Sequence, residues 1–372
     1  MHLTRKNPTR LAVIFGGVST EHEVSLQSAK NIISAAVDAG FCAVPIYVTR
    51  AGAWHLIEDV STLDHITIAS RLSDHSLGHQ VALVPGEKKS CFIDRSTGAS
   101  IEAVDVVFPI IHGTGGEDGS LQGLLDLVGL PYVGPGVLSS AVCFDKEVVK
   151  RLLNDAGIPS ADYIAIRKGD EIDVGAIVSS LGLPLFVKPA NAGSSVGVSK
   201  VSKQDELASA IREALRFDHK VLIEEAVVGR EIECAIIGNA HASCSVPGEI
   251  TAPGGFYSYA EKYLGESKTQ LRAPALLSAQ EEQLCQSTAL KTYQVLECCG
   301  LSRVDLFLCT DRGSDGPRVL VNEVNTLPGF TNISMYPKLW SLSGMSNKDL
   351  LQRLVELAIE RFEDRAALET AP

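Results

Sequence analysis

One stretch near the C-terminus of this 372-residue chain narrows the possible folds more than any other: LSRVDLFLCTDRGSDGPRVLVNEVNTLPG, residues 301–329. Arg303, Asp305 and Phe307 alternate with Val304, Leu306 and Leu308, the two-residue period of a strand with one face on a core. Glu323 and Asn325 flank Val324 in a second run, and the turn from Asp311 to Pro317 folds one run back on the other. The chain is therefore expected to contain an antiparallel hairpin with a polar face. Two carboxylates and an amide meeting across paired strands offer only oxygen donors, a set that suits a hard cation such as Mg²⁺ completed by water or phosphate. A solvated strand face with charge pairs would read the same way.

The N-terminal part follows a different rhythm. The apolar run Leu11 to Phe15 ends in Gly16-Gly17, and Ala29, Ile32, Ile33, Ala36 and Val37 then fall at helical spacing, which makes a strand, a tight turn and a helix. Further strands read through 43–48 and 104–111, and the mixed polarity of 51–100 reads as loop-rich elaboration. The pattern restarts near residue 140, where Val149, Leu152, Leu153 and Ala156 form a helical stripe closed by Gly157. Strands at 183–188, 198–201 and 221–225 enclose a glycine-rich loop and one helix, suggesting a small α+β unit. Two more strands, a polar loop at 253–267, a helix near 278–298, the hairpin and a final helix complete the chain. The expected architecture is mixed α/β and α+β in three parts, 1–140, 141–228 and 229–372.

Composition removes several classes of function. The chain has 33 Lys+Arg against 45 Asp+Glu, a net charge of −12, and no basic stripe, so a nucleic-acid partner held by phosphate contacts is not expected. No apolar run approaches the ~18 residues of a membrane span, and the five-residue run before Gly16 is too short for a signal-peptide core. Nine cysteines without a CxxC pair read as reduced thiols of a cytoplasmic protein.

An anionic ligand must then find its positive partners locally. Lys188 ends an apolar strand just before a loop holding Gly193, Ser194, Ser195 and Gly197, where small residues let backbone N–H groups approach phosphate. Neither G-x-x-x-x-G-K-[ST] nor G-x-G-x-x-G is present, and a plain turn fits the loop as well. Lys146 opens the helix over 145–156. Glu224, Glu225, Glu231 and Glu233 sit at strand ends, where they could bond a nucleobase and a ribose or simply face water. Glu21, His22 and Glu23 follow the first strand at the crevice position where α/β sheets place ligands, and His112 opens the loop HGTGGEDGS at the same edge.

These pieces, in this order, resemble the ATP-grasp superfamily and, within it, the longer form of the D-alanine–D-alanine ligases. The resemblance rests on GGVSTEHEVSLQSAKNI, FPIIHGTGGEDGSLQGLL, LPYVGPGVLSSAVCFDK, LPLFVKPANAGSSVGVSKV, VLIEEAVVGREIEC, the FYSYAEKY loop, LSRVDLF and NEVNTLPGFTNISMYPKLW. It implies an ATP-grasp fold with an N-terminal doubly wound α/β domain, a small central α+β domain and a C-terminal α+β domain. It also implies a ligase acting on ATP and D-alanine through a D-alanyl phosphate, with D-lactate as the alternative second substrate. By the same resemblance Lys146, Lys188 and Ser195 meet the phosphates, Glu224, Glu225 and Val227 the adenine, and Glu231 the ribose. Asp305, Glu323 and Asn325 would hold two Mg²⁺ ions, or Mn²⁺. Glu21 and His112 would bind the first D-alanine, and Ser334 and Met335 the second. Arg303 and the Gly329 N–H would form the oxyanion site. Lys262 would reach the transferred phosphate, while Tyr263, bonded with Glu21 and Ser194, would close the loop. A homodimer is the implied assembly.

Overall fold

The computed structural model describes residues 8–58, 78–86, 92–101, 103–193, 196–251, 270–309 and 316–368. Ser194, Ser195, Lys262, Tyr263 and most of the 311–317 turn lie outside the described residues. The N-terminal sheet has the order β5-β4-β3-β2-β1-β6. Its strands are β1 (Arg10–Gly16), β2 (Cys42–Val48), β3 (Trp54–Leu56), β4 (His79–Leu83), β5 (Phe92–Asp94) and β6 (Val106–Pro109). β1 pairs in parallel with β2 and β6, and the β2 edge is extended by antiparallel strands. Leu11, Val13 and Phe15 pack on α1 (His22–Asp38), whereas Ala12 and Ile14 pack on α2 (Ser120–Val128) on the other face. Cover on both faces is why β1 is a continuous apolar run and not an alternating one.

The stretch expected to be loop-rich supplies β3, β4 and β5. Each of these buries a single side chain, His55, Val81 or Phe92, so none leaves a readable period in the sequence.

The second sheet, β7-β10-β8-β9, is antiparallel throughout. It comprises β7 (Tyr163–Arg167), β8 (Leu185–Pro189), β9 (Ser199–Val201) and β10 (Lys220–Glu225), and it shares a core with α5 (Val174–Leu181) and α6 (Gln204–Ala214). The third sheet runs β14-β13-β11-β15-β16, with β12 beside β11. Its strands are β11 (Arg230–Gly238), β12 (Ser243–Cys244), β13 (Gly248–Thr251), β14 (Gln270–Arg272), β15 (Gly300–Cys309) and β16 (Arg318–Asn325).

Ile232, Cys234 and Ile236 of β11 face a core made with α3 (Val137–Phe144), α4 (Lys146–Asp155) and α7 (Ala279–Val295). Ala235 and Ile237 face the opposite way, into the core that contains α1, α8 (Met335–Leu342) and α9 (Asn347–Ala366). Each fully buried Leu or Ile in such a core contributes roughly 1.5–3 kcal/mol. One apolar core thus ties the first sheet to the third and sets α1 against the segment after β16. The eight described cysteines are all free thiols, and no helix of the described residues is long and apolar enough to cross a membrane.

Candidate active site

A cleft of about 1210 Å³ is lined by strands of the second and third sheets and, from the N-terminal part, by α1, the turn before it and the loop after β6. Its base is the β15–β16 hairpin, where Arg303 lies opposite Asn325 and Asp305 opposite Glu323. The register slips just beyond Asp305, since Leu306 pairs with Val321, so Asn322 is an extra residue in β16. Arg303 donates from Nε and Nη2 to the two Asp305 oxygens, both at 2.7 Å, and Asn325 Nδ2 donates to Asp305 Oδ2 at 2.9 Å. Glu233 lies 3.1 Å from Arg303 Nε. Burial alone would depress the Arg303 guanidinium, but Asp305, Glu233 and Glu323 around it outweigh burial and push its pKa well above the ordinary value.

Three oxygen donors on neighbouring strands, two of them carboxylates, fit a hard divalent cation by their chemistry. Among the described residues no cluster of three or more His, Cys, Asp or Glu is gathered as a metal site.

The cations of the cleft are fixed by long-range pairs. Asp145 caps α4 by accepting from Glu147 N and Val148 N, both at 3.1 Å, and its carboxylate is 2.6 Å from Lys220 of β10. That anchor sets where Lys146 starts the helix. Its Nζ donates to Ala192 O at 2.7 Å and lies 3.7 Å from Glu323. Lys188 is 2.7 Å from Glu224, whose other oxygen faces Lys150 at 3.3 Å. Burial would raise the Glu224 carboxyl, yet Lys188 and Lys150 together hold it below its ordinary pKa. Lys150 also donates to Ala161 O at 3.0 Å, and burial pulls its pKa down. A lysine four residues into a helix gives no sequence signal of its own, and Lys150 was not anticipated.

Glu225 accepts from Asp162 N at 3.0 Å, and Val227 and Glu231 continue the same wall. Glu21, Gly329, Ser334 and Met335 line the cleft as well. A Cβ at Gly113 would sit 2.8 Å from a Glu21 carboxylate oxygen, and one at Gly193 nearer still, so two glycine loops cradle that carboxylate. Ser334 precedes α8 but does not cap it with its side chain, because its Oγ accepts from Thr331 N at 2.9 Å and pairs with Thr331 Oγ1 at 2.8 Å. The Met335 and Tyr336 N–H groups at the start of α8, followed by Pro337 with none, therefore take no hydrogen bond from that side chain.

The histidines turn out to be braces. His22 Nδ1 faces Gly17 O at 2.7 Å and Nε2 faces the Tyr47 hydroxyl at 3.1 Å, while Glu23 pairs with Arg50 at the surface. His112, expected to contact the first D-alanine, lines the cleft but has both ring nitrogens engaged by protein, Nδ1 with Leu327 O at 3.0 Å and Nε2 with Ser28 Oγ at 3.1 Å.

Glu117, within the HGTGGEDGS loop, also lines the cleft and was not singled out from sequence. It accepts from Gly113 N at 2.9 Å. Loss of solvent, then the Glu21 charge, pushes its carboxyl up to about 8. The folded state therefore keeps a proton that the unfolded state gives up above the ordinary carboxyl range, and stability falls as pH rises toward 8. Glu117→Gln, neutral at every pH, is expected to melt progressively higher than the parent from pH 6 to pH 8. A margin that stays flat or reverses in ligand-free melting curves contradicts the raised carboxyl.

The family model described as D-ala D-ala ligase N-terminus matches residues 10–135, and that described as D-ala D-ala ligase C-terminus matches residues 152–356. D-alanine–D-alanine ligase A of Chromobacterium violaceum is 49% identical over 354 residues, covering 95% of each chain. The D-alanine–D-alanine ligase structure from Coxiella burnetii superposes with a TM-score of 0.83 at 36% identity, covering 97% of this chain and 96% of that one. The VanG D-Ala:D-Ser ligase of Enterococcus faecalis superposes with a TM-score of 0.82 at 35% identity, covering 95% of this chain and 100% of that one. The chain belongs to the D-alanine–D-alanine ligase family of enzymes.

Proposed function

We propose that the chain joins two molecules of D-alanine to D-alanyl-D-alanine, with cleavage of ATP to ADP and phosphate, and thereby supplies a precursor of peptidoglycan. One observation supports this most: the hairpin face of Arg303, Asp305, Glu323 and Asn325 shares a single cleft with Lys146, Lys188 and the cradled carboxylate of Glu21. A free carboxylate is a poor acyl donor, so an oxygen of the first D-alanine bonds to the γ-phosphorus and ADP leaves. Lys146 and Lys188, with Ser195 and Lys262 from segments outside the described residues, offset the crowding of negative charge. Asp305, Glu323 and Asn325 are the residues that would hold Mg²⁺, or Mn²⁺ in its place, whose chemistry is to neutralise the β- and γ-phosphates.

Glu21 holds the ammonium of the first D-alanine. The α8 N-terminus at Ser334 and Met335 receives the carboxylate of the second. When its amine attacks the acyl phosphate, Arg303 and the Gly329 N–H meet the tetrahedral oxyanion, a donor of this kind being worth roughly 3 kcal/mol. Glu224, already held by two lysines, accepts from the adenine amino group beside the Glu225 and Val227 backbone, and Glu231 takes the ribose hydroxyls. Tyr263, with Ser194, closes the loop and keeps water from the acyl phosphate. A cytoplasmic homodimer belongs to the same reading.

Coupled ADP release tests it. D-alanine alone should drive ADP formation, L-alanine should not, and D-lactate added near neutral pH should yield little depsipeptide. ATP turnover that ignores D-alanine would contradict the proposal, and predominant depsipeptide would shift the second substrate to a hydroxy acid.

A further inference from the structure

The loop after β16 must hold the Gly329 N–H still while carrying no regular structure of its own. Three side chains from the N-terminal unit supply the restraint. Ser28 and Asn31 lie one turn apart on the same face of α1. Phe330 N donates to Ser28 Oγ at 3.1 Å, and Asn31 Nδ2 donates to Phe330 O at 2.7 Å and to Asn332 Oδ1 at 3.0 Å. Both backbone polar groups of Phe330 are thus clamped by α1. Its ring is clamped too, edge-on to Phe108 of β6 at 5.6 Å and tilted against Tyr336 at 5.6 Å.

On the other side of Gly329, Leu327 O faces His112 Nδ1 at 3.0 Å. A carbonyl only accepts, so Nδ1 carries the proton. Burial disfavours the charged ring, which leaves Nε2 to accept the Ser28 hydroxyl proton at 3.1 Å. The chain Phe330 N–H to Ser28, Ser28 to His112, and His112 to Leu327 O is therefore one directed relay. It fixes the peptides 327–328 and 329–330, and Asn31 fixes 330–331 through Phe330 O. The peptide between them, Pro328 to Gly329, has an N–H with no hydrogen-bond partner among the described residues, and Gly329 lines the cleft.

We propose that Ser28 and Asn31, acting with His112 as its Nδ1–H tautomer, are positioning residues for the second half of the reaction. They hold the Leu327–Phe330 segment so that the Gly329 N–H is in place when the amine attacks. The inference rests on the reading of Gly329 as an oxyanion donor. Its consequence is specific: loosening the clamp slows amine attack on the acyl phosphate but not phosphoryl transfer, so the intermediate is lost to water. Hydrolysis of the acyl phosphate returns D-alanine and phosphate, and ADP accumulates without dipeptide.

The test measures ADP and dipeptide together for the parent, Ser28→Ala, Asn31→Ala and the double variant, with saturating ATP, Mg²⁺ and D-alanine. The expected result is a dipeptide kcat lowered tenfold or more in the double variant, ADP per dipeptide rising from one to two or above, and KM for ATP within twofold of the parent. A ratio that stays at one overturns the proposal, whether or not kcat falls. Asn31 is half-buried, so Asn31→Ala alone keeps the test open if Ser28→Ala does not fold. Nitrogen-15 NMR of the His112 ring, assigned with His112→Gln, should show the neutral Nδ1–H form, and an Nε2–H form also overturns it. Arg303→Lys separates the two readings, since it perturbs the oxyanion site without touching α1. If Arg303→Lys raises the ADP ratio and the α1 variants do not, only the positioning role fails. If Arg303→Lys leaves the ratio and the rate intact, the oxyanion site itself is misassigned.

Discussion

Glu323→Gln is expected to lower kcat by about two to three orders of magnitude while leaving the melting temperature close to that of the parent. Glu323 lies opposite Asp305 across the hairpin and 3.7 Å from Lys146, so its charge serves the cleft and not the core. Glutamine keeps the shape and one oxygen but removes the negative charge that a divalent cation requires. Lewis-acid stabilisation of a transferring phosphoryl group is worth several kcal/mol, and each 1.4 kcal/mol is about tenfold in rate. The loss should be partly recovered by raising Mg²⁺, because weakened binding of the ion is the cause. Turnover near the parent's at ordinary Mg²⁺ would remove Glu323 from the metal site.

Arg303 should show a split between two substitutions. Its guanidinium is the counter-charge for Asp305 at 2.7 Å and Glu233 at 3.1 Å, both largely buried. Arg303→Met strands those carboxylates, and breaking a buried pair in this way costs about 3–5 kcal/mol of stability. Arg303→Lys keeps the charge but loses the planar fork that spans both Asp305 oxygens. It should therefore melt much nearer the parent, yet still lose about 100-fold or more in kcat if the fork also serves the oxyanion. Thermal melting and steady-state rates on the same preparations distinguish the two effects. A lysine variant with parental kcat would confine Arg303 to a structural role.

What the sequence disclosed, and what it did not, follows from the range of each interaction. The hairpin was legible because alternation over 303–308 is local, as was the β1 run with the helical stripe of α1. The extra residue at Asn322 was not, since a bulge leaves the alternation on either side intact and shows only in the pairing partner. β7 and α5 escaped because β7 fully buries only Ile166 and α5 only Ile177, too little to set a period.

In the site, charged residues that line the cleft were readable at strand ends, but the groups that hold them were not. Lys150 becomes meaningful only when β10 brings Glu224 to it. Ser28 finds Phe330 302 positions away, and Asn31 finds it 299 positions away, distances over which a single sequence carries no pairing signal. Glu117 stood within a loop read for its glycines and its histidine, and only the fold sets its carboxyl beside the Glu21 charge.

On the proposed mechanism the cleft activates a D-alanine carboxylate as an acyl phosphate and then passes it to a second D-alanine. The most direct measurement is isotope transfer: D-alanine labelled with ¹⁸O in its carboxylate, ATP and Mg²⁺, with ADP, phosphate and dipeptide quantified in one reaction. One D-alanyl-D-alanine per ADP is expected, with one ¹⁸O in each phosphate released, carried over when the acyl–oxygen bond breaks. Unlabelled phosphate, or ADP formed at the same rate without D-alanine, would contradict it.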